Sequence, residues 1–178
     1  MKTLHSNWFV VLVLAMSALA TAALASTGDV CGDPQKPCPD PESLKFDPWE
    51  MTFRVPKQME WMKEYQSKPF YAVMLQSVKA EPDDGPHGDK RCSGYFDERQ
   101  RLAAQKLFPA NKVFASRHGC SINGAVYYPG ANRDYNFLAV YAGATKAEAE
   151  DMLTKVKATG KYPGANLRRI RAAMFFGD

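Results

Sequence analysis

Catalytic apparatus is scarce in this sequence. Three histidines are present, His5, His87 and His118. No GxSxG, HExxH, Walker A or GxGxxG pattern occurs, which removes the sequence forms that mark serine hydrolases, zinc proteases, P-loop enzymes and dinucleotide-binding folds. The chain reads as non-enzymatic, with no cofactor implied. An excess of one charge sign is also missing. The 23 Lys and Arg are mixed among 19 Asp and Glu for a net +4. Nucleic-acid binders usually show a basic stripe, so no nucleic-acid partner is expected. Paired CxxC spacing is absent, and with it a strong zinc motif. Asp83, Asp84 and Asp89 share a Gly/Pro loop with His87 but lack EF-hand spacing. A solvated acidic loop is expected there.

What is present begins with one long apolar run. It has the three regions of a secretory signal peptide in order. Lys2 and His5 precede WFVVLVLAMSAL (residues 8–19), and small residues then lead to Ala23-Leu24-Ala25 before Ser26. Cleavage there makes residues 1–25 a leader and leaves no stable membrane span. A retained anchor is the alternative, although the Ala-, Ser- and Thr-rich second half is weakly apolar for a span. The expected location is the periplasm or the extracellular space. Export makes disulfides the default for the four cysteines. Three pairings are possible; sequence proximity favours Cys31 with Cys38, which close a short loop, CGDPQKPC, and Cys92 would then pair with Cys120. A metal site on Cys92, His118 and Cys120, or a thiol nucleophile at Cys120, is the rival reading.

Residues 26–48 carry Pro34, Pro37, Pro39, Pro41 and Pro48 and read as an extended lead-in. In residues 49–67, Met59, Met62 and Tyr65 fall at spacings of three. This predicts a helix packed on the main domain, the alternative being an exposed aromatic-Met surface for a partner. Residues 68–178 form that domain. Strand-like runs occupy residues 70–78 (FYAVMLQSV), 112–116 (KVFAS), 135–142 (YNFLAVYA) and 167–175 (LRRIRAAMF). Helices are predicted over residues 95–107 and 145–160. Thr145 and Glu148 make a capping box for the second, and Gly160 ends it. Strand-helix-strand twice over gives an α+β, ferredoxin-like split βαβ fold: a four-stranded sheet with two helices on one face.

The period of two sorts the strands into faces. Val73, Leu75, Leu138, Val140, Ile170, Ala172 and Met174 should meet the helices. Met74, Gln76, Phe137, Tyr141, Arg169 and Arg171 should point to the other face, together with Ala72 and Ala139. If that face is open, its aromatics can stack on sugar rings while Arg and Gln hydrogen-bond hydroxyl, acetamido or carboxylate groups. If the N-terminal segment or the 119–133 excursion covers it, the same aromatics are core. Tyr127, Tyr128 and Tyr135 divide in the same way between a gripping arm and a satellite core.

Two of these stretches carry a family resemblance. NFLAVYAGATKAEAEDMLTKVKATG is similar to the strand, loop and xAEAxxxLxxLKxxG helix of the SPOR domain, a peptidoglycan-binding module of bacterial envelope proteins. FYAVMLQSV resembles that family's first strand, with Met74 where Gln is usual and Gln76 where Gly is usual. The likeness spans residues 69–175. It implies an exported envelope protein that binds peptidoglycan glycan on the open sheet face, where the outward set Met74, Gln76, Phe137, Tyr141, Arg169 and Arg171 matches the family's ligand surface in place, not residue by residue. A protein-interaction factor, such as an accessory subunit or inhibitor in the periplasm, is the alternative.

Overall fold

The computed structural model describes residues 27–36, 38, 46–80, 96–117 and 126–177. The expected leader, Cys92, His87, His118, Cys120 and the three loop aspartates lie outside them. In chain order the elements are β1 (Thr27–Gly28), β2 (Lys63–Ser67), β3 (Phe70–Lys79), α1 (Glu98–Gln105), β4 (Val113–Ala115), β5 (Tyr135–Gly143), α2 (Lys146–Ala158), β6 (Asn166–Ile170) and β7 (Ala173–Phe176). The main sheet has the order β4-β5-β3-β6 with every pair antiparallel. The fold is α+β of the small ferredoxin-like kind. No helix among the described residues is long and apolar enough to cross a membrane.

Helix α2 forms where its sequence signals place it. Thr145 Oγ1 accepts from the Glu148 N–H at 3.3 Å, and Glu148 Oε2 accepts from the Thr145 N–H at 2.9 Å. Gly160, at φ +66°, closes the helix end in the left-handed region that glycine tolerates. Its buried Ala149, Met152 and Val156 pack with Val73, Leu75, Leu138 and Val140. Asp97 and Gln100 make a second capping box for α1. Buried Arg101 ties α1 to β4, donating to the Val113 carbonyl at 3.1 Å and to both Glu98 carboxylate oxygens.

The other sheet face is covered. β1, β2 and β7 form a second sheet, in the order β1-β2-β7. With residues 46–55 and 126–131 it packs Met51, Phe53, Tyr65, Val126, Tyr128 and Met174 onto Phe70, Met74, Phe114 and Phe137. Phe114 sits at the centre of this layer, with ring centroids 5.3 Å from Tyr128 and 6.0 Å from Phe137. The Tyr128 hydroxyl accepts from the Met51 N–H at 3.1 Å, which pins the 46–55 segment to the 126–131 segment.

Three expectations are corrected here. Residues 49–67 form no helix: Lys63–Ser67 is strand β2, which pairs with β7 over Lys63–Gln66, and that pairing overrides the spacing of Met59, Met62 and Tyr65. The predicted strand 167–175 breaks into β6 and β7, which belong to different sheets. Ile170, Ala172 and Met174 therefore enter the second core, not the helix-side core. β2–β7 and β3–β6 are two halves of one antiparallel ribbon, bent where Lys68-Pro69 faces Arg171-Ala172. Ser67 holds the bend: its N–H donates to the Ala172 carbonyl at 2.7 Å, and its Oγ accepts from the Ala172 N–H at 2.9 Å.

The Cys31–Cys38 disulfide forms as expected. Its loop lies against Tyr141, where a Cβ on Gly32 would come 2.2 Å from the ring. Only glycine permits that approach.

Two measurements follow from the second core. Phe137 is 3% exposed, so Phe137→Ala should cost about 3–5 kcal/mol in urea unfolding; a loss below about 1 kcal/mol would mean an open face. Glu50 is 6% exposed and bonded to the Asp47 and Val126 N–H groups. Burial raises its pKa above the ordinary 4.5, against the pull of those bonds. The folded state therefore holds the proton more tightly than the unfolded one. That stabilisation is complete below 4.5 and is lost as pH rises through the folded value. Glu50→Gln should flatten this part of the Tm–pH curve; an unchanged curve would refute the assignment.

Candidate functional site

The six expected ligand residues do not share one face. Met74 and Phe137 are buried, 6% and 3% exposed, beneath the second layer. Tyr141 is half-buried, held between Phe70, 5.8 Å away by ring centroid, and the disulfide loop. Gln76 is exposed, but a bulge at Leu75 shifts the register so that Gln76 faces Leu138 of the helix-side core. The count of two therefore fails one residue before Gln76. Arg169 and Arg171 lie on the ribbon corner, beside Pro69, Pro129 and Gly130. The open aromatic floor is not formed.

A different concavity lies at the end of β3. β6 starts at Asn166, opposite Met74. Beyond that pair, residues 75–79 of β3 have no strand on that side among the described residues. A cavity of about 590 Å³ runs along this edge. Gln76, Ser77, Gln100 and Asn166 give it amides and a hydroxyl, and Lys161 gives it a cation. Tyr162 and Phe96 supply aromatic surface, and Tyr162 is braced by Phe108 at a centroid distance of 6.4 Å. A second cavity of about 250 Å³ meets the first at Met74, Ser77 and Asn166. It adds Asn132, Tyr135, Phe137 and Arg168. Joined through these shared residues, the two cavities are treated as one groove at this end of the main sheet. Burial raises the Tyr162 pKa above its ordinary 10.0, so at neutral pH the phenol is a hydrogen-bond donor.

No family model, curated protein or solved structure matches this chain.

The groove keeps Met74, Gln76 and Phe137 from the expected set and adds residues that periodicity does not reach. Lys161 and Tyr162 come from the Gly160–Gly164 loop after α2. A Tyr between Gly and Pro-Gly on a loop held by a capped helix is a recognisable binding signal. Tyr135 and Asn132 come from the tyrosine arm, whose members divide: Tyr128 is core, Tyr127 is half-buried and Tyr135 is 43% exposed. Arg168 carries no signal beyond its charge. Among the described residues no group of three or more His, Cys, Asp or Glu side chains converges as a metal site.

Proposed function

We propose that the protein is an exported envelope module that binds peptidoglycan glycan in the groove centred on Met74 and Asn166. The observation that carries this reading is the groove itself. Its planar amides, hydroxyl and phenol groups can bond sugar hydroxyls and acetamido groups, its aromatic faces can stack on sugar rings, and its length suits a polymer. Lys161 and Arg168 can meet carboxylates along such a polymer. The signal-like leader and the SPOR-like second half support an envelope ligand.

A second reading rests on the opposite end of the small sheet. Trp61, Met62 and Phe175 are 58%, 64% and 39% exposed. Met62 adopts φ +60°, a left-handed conformation that is uncommon for such a side chain and that clusters at functional positions. The Trp61 ring leans edge-on against Phe176 at 5.6 Å. This patch fits an accessory or inhibitory contact with an envelope protein.

Asn166 is exposed, so Asn166→Trp should change stability by no more than about 0.5 kcal/mol. Filling the saddle between the two cavities should weaken cosedimentation with purified sacculi at least about tenfold, or 1.4 kcal/mol. Wild-type protein that stays in the supernatant would end the glycan reading. For the second surface, a photo-crosslinker at position 61 should give one discrete adduct that Met62→Lys abolishes. A monomer band alone would remove it.

A further inference from the structure

The ribbon corner gathers the two arginines that the groove leaves out. β3–β6 pairing ends at Phe70–Ile170, and β2–β7 pairing resumes at Gln66–Ala173. Residues 67–69 therefore face only 171 and 172. Such a one-residue mismatch is a β-bulge, which bends a strand and re-aims its side chains. The bend opens a concavity of about 290 Å³ among Pro69, Pro129, Gly130, Ile170 and the two arginines. Gly130, at φ +96°, comes so close that a Cβ there would sit 2.9 Å from the Arg169 carbonyl oxygen. Proline rings, an isoleucine and backbone make the walls. Among the described residues, Arg169 and Arg171 are the only charged ones lining it.

Arg171 is fixed before any ligand arrives. Its Nη1 donates to Gln66 Oε1 at 2.9 Å. Gln66 Nε2 donates to Glu64 Oε1, and Glu64 Oε2 accepts from the Tyr127 hydroxyl. Only this orientation of the Gln66 amide serves both neighbours. Burial, with the Glu64 carboxylate beside it, holds the Tyr127 phenol well above its ordinary 10.0, so Tyr127 remains the donor. Glu64 is thus engaged at both oxygens by this relay. Arg169 is exposed and makes no ion pair among the described residues, whereas nearby Lys68 is already bridged to Asp29 at 2.8 Å.

We propose that Arg169 and Arg171 form a second binding site, for a carboxylate carried on an apolar or sugar carbon. A guanidinium fork matches the planar carboxylate in a bidentate way, and a fork held in place loses less entropy on binding. The apolar walls select an organic acid over a bare inorganic ion. Tyr127, Glu64 and Gln66 are positioning residues, since they act through Arg171.

The test is an amide-resolved NMR titration at constant ionic strength with N-acetylalanine, its neutral methylamide and inorganic phosphate. N-acetylalanine should shift Gly130 and residues 169–171 to saturation, while the methylamide should leave them in place. Arg169→Gln and Arg171→Gln should each weaken binding at least about tenfold, and Tyr127→Phe about threefold, with phosphate weaker than the carboxylate. Shifts equal to those from sodium chloride, or an Arg169→Gln protein that titrates like wild type, would overturn the site. Phosphate binding as tightly as N-acetylalanine would overturn the carboxylate assignment. Should Arg171→Gln disturb the fold, Arg169→Gln and Arg169→Glu carry the test, because Arg169 is exposed. Asn166→Trp should leave this titration unchanged, so failure here and failure of the groove are read separately.

Discussion

The bend in one antiparallel ribbon decides what the rest of this molecule can do. β2–β7 and β3–β6 would make a long two-stranded arm if the chain ran straight. At Lys68-Pro69 and Arg171-Ala172 it turns instead, and the outer half folds over the sheet that the inner half helps to build. Proline cannot donate at position 69, and Ser67 takes over the pairing through its hydroxyl and its N–H. Sheet corners of this type are made by strands that change sheets at a bend or bulge. The result is a second core, on the face that a two-layer ferredoxin-like fold leaves to solvent.

Covering that face moves the candidate chemistry to its margins. An aromatic floor of Phe137, Met74 and Tyr141 becomes packing for Phe114, Tyr128 and the disulfide loop. Polar ligands are left with places where the second layer ends. One is the groove at the free end of β3, where Asn166 starts a strand shorter than its neighbour. The other is the corner itself, where the bulge leaves a concavity beside two arginines. Both owe their shape to a mismatch in strand length or residue count. Each combines apolar walls taken from core residues with polar side chains that neither core accepts.

The buried polar groups fit the same scheme. Glu50 accepts backbone N–H groups from residues 47 and 126, and Tyr128 accepts from residue 51. These bonds join the 46–55 segment to the tyrosine arm, two segments far apart in sequence. They satisfy backbone donors that burial of irregular chain would leave without partners. Lys112 does similar work at the outer rim, reaching the Pro48 carbonyl at 2.5 Å, while burial lowers its pKa to about 8.

Taken alone, the sequence determined the local elements. Apolar runs of strand composition gave β3 and β5, the Thr145–Glu148 box and Gly160 bounded α2, and strand-helix-strand twice gave a four-stranded sheet with two helices. It also assigned Val73, Leu75, Leu138 and Val140 to the helix side, because a period of two or 3.6 is written into neighbouring residues. The expectations that failed depend on distant ones. LRRIRAAMF has no breaker inside it, so the division into β6 and β7 comes from Ser67 and Tyr127, which bond to Ala172 and Ala173. Met59, Met62 and Tyr65 keep helical spacing, yet β7 offers the Lys63–Gln66 stretch a strand partner that outweighs it. The bulge at Leu75 turned Gln76 by one register step without any local mark. Periodicity states which way a side chain points, and tertiary structure alone decided what stands opposite it.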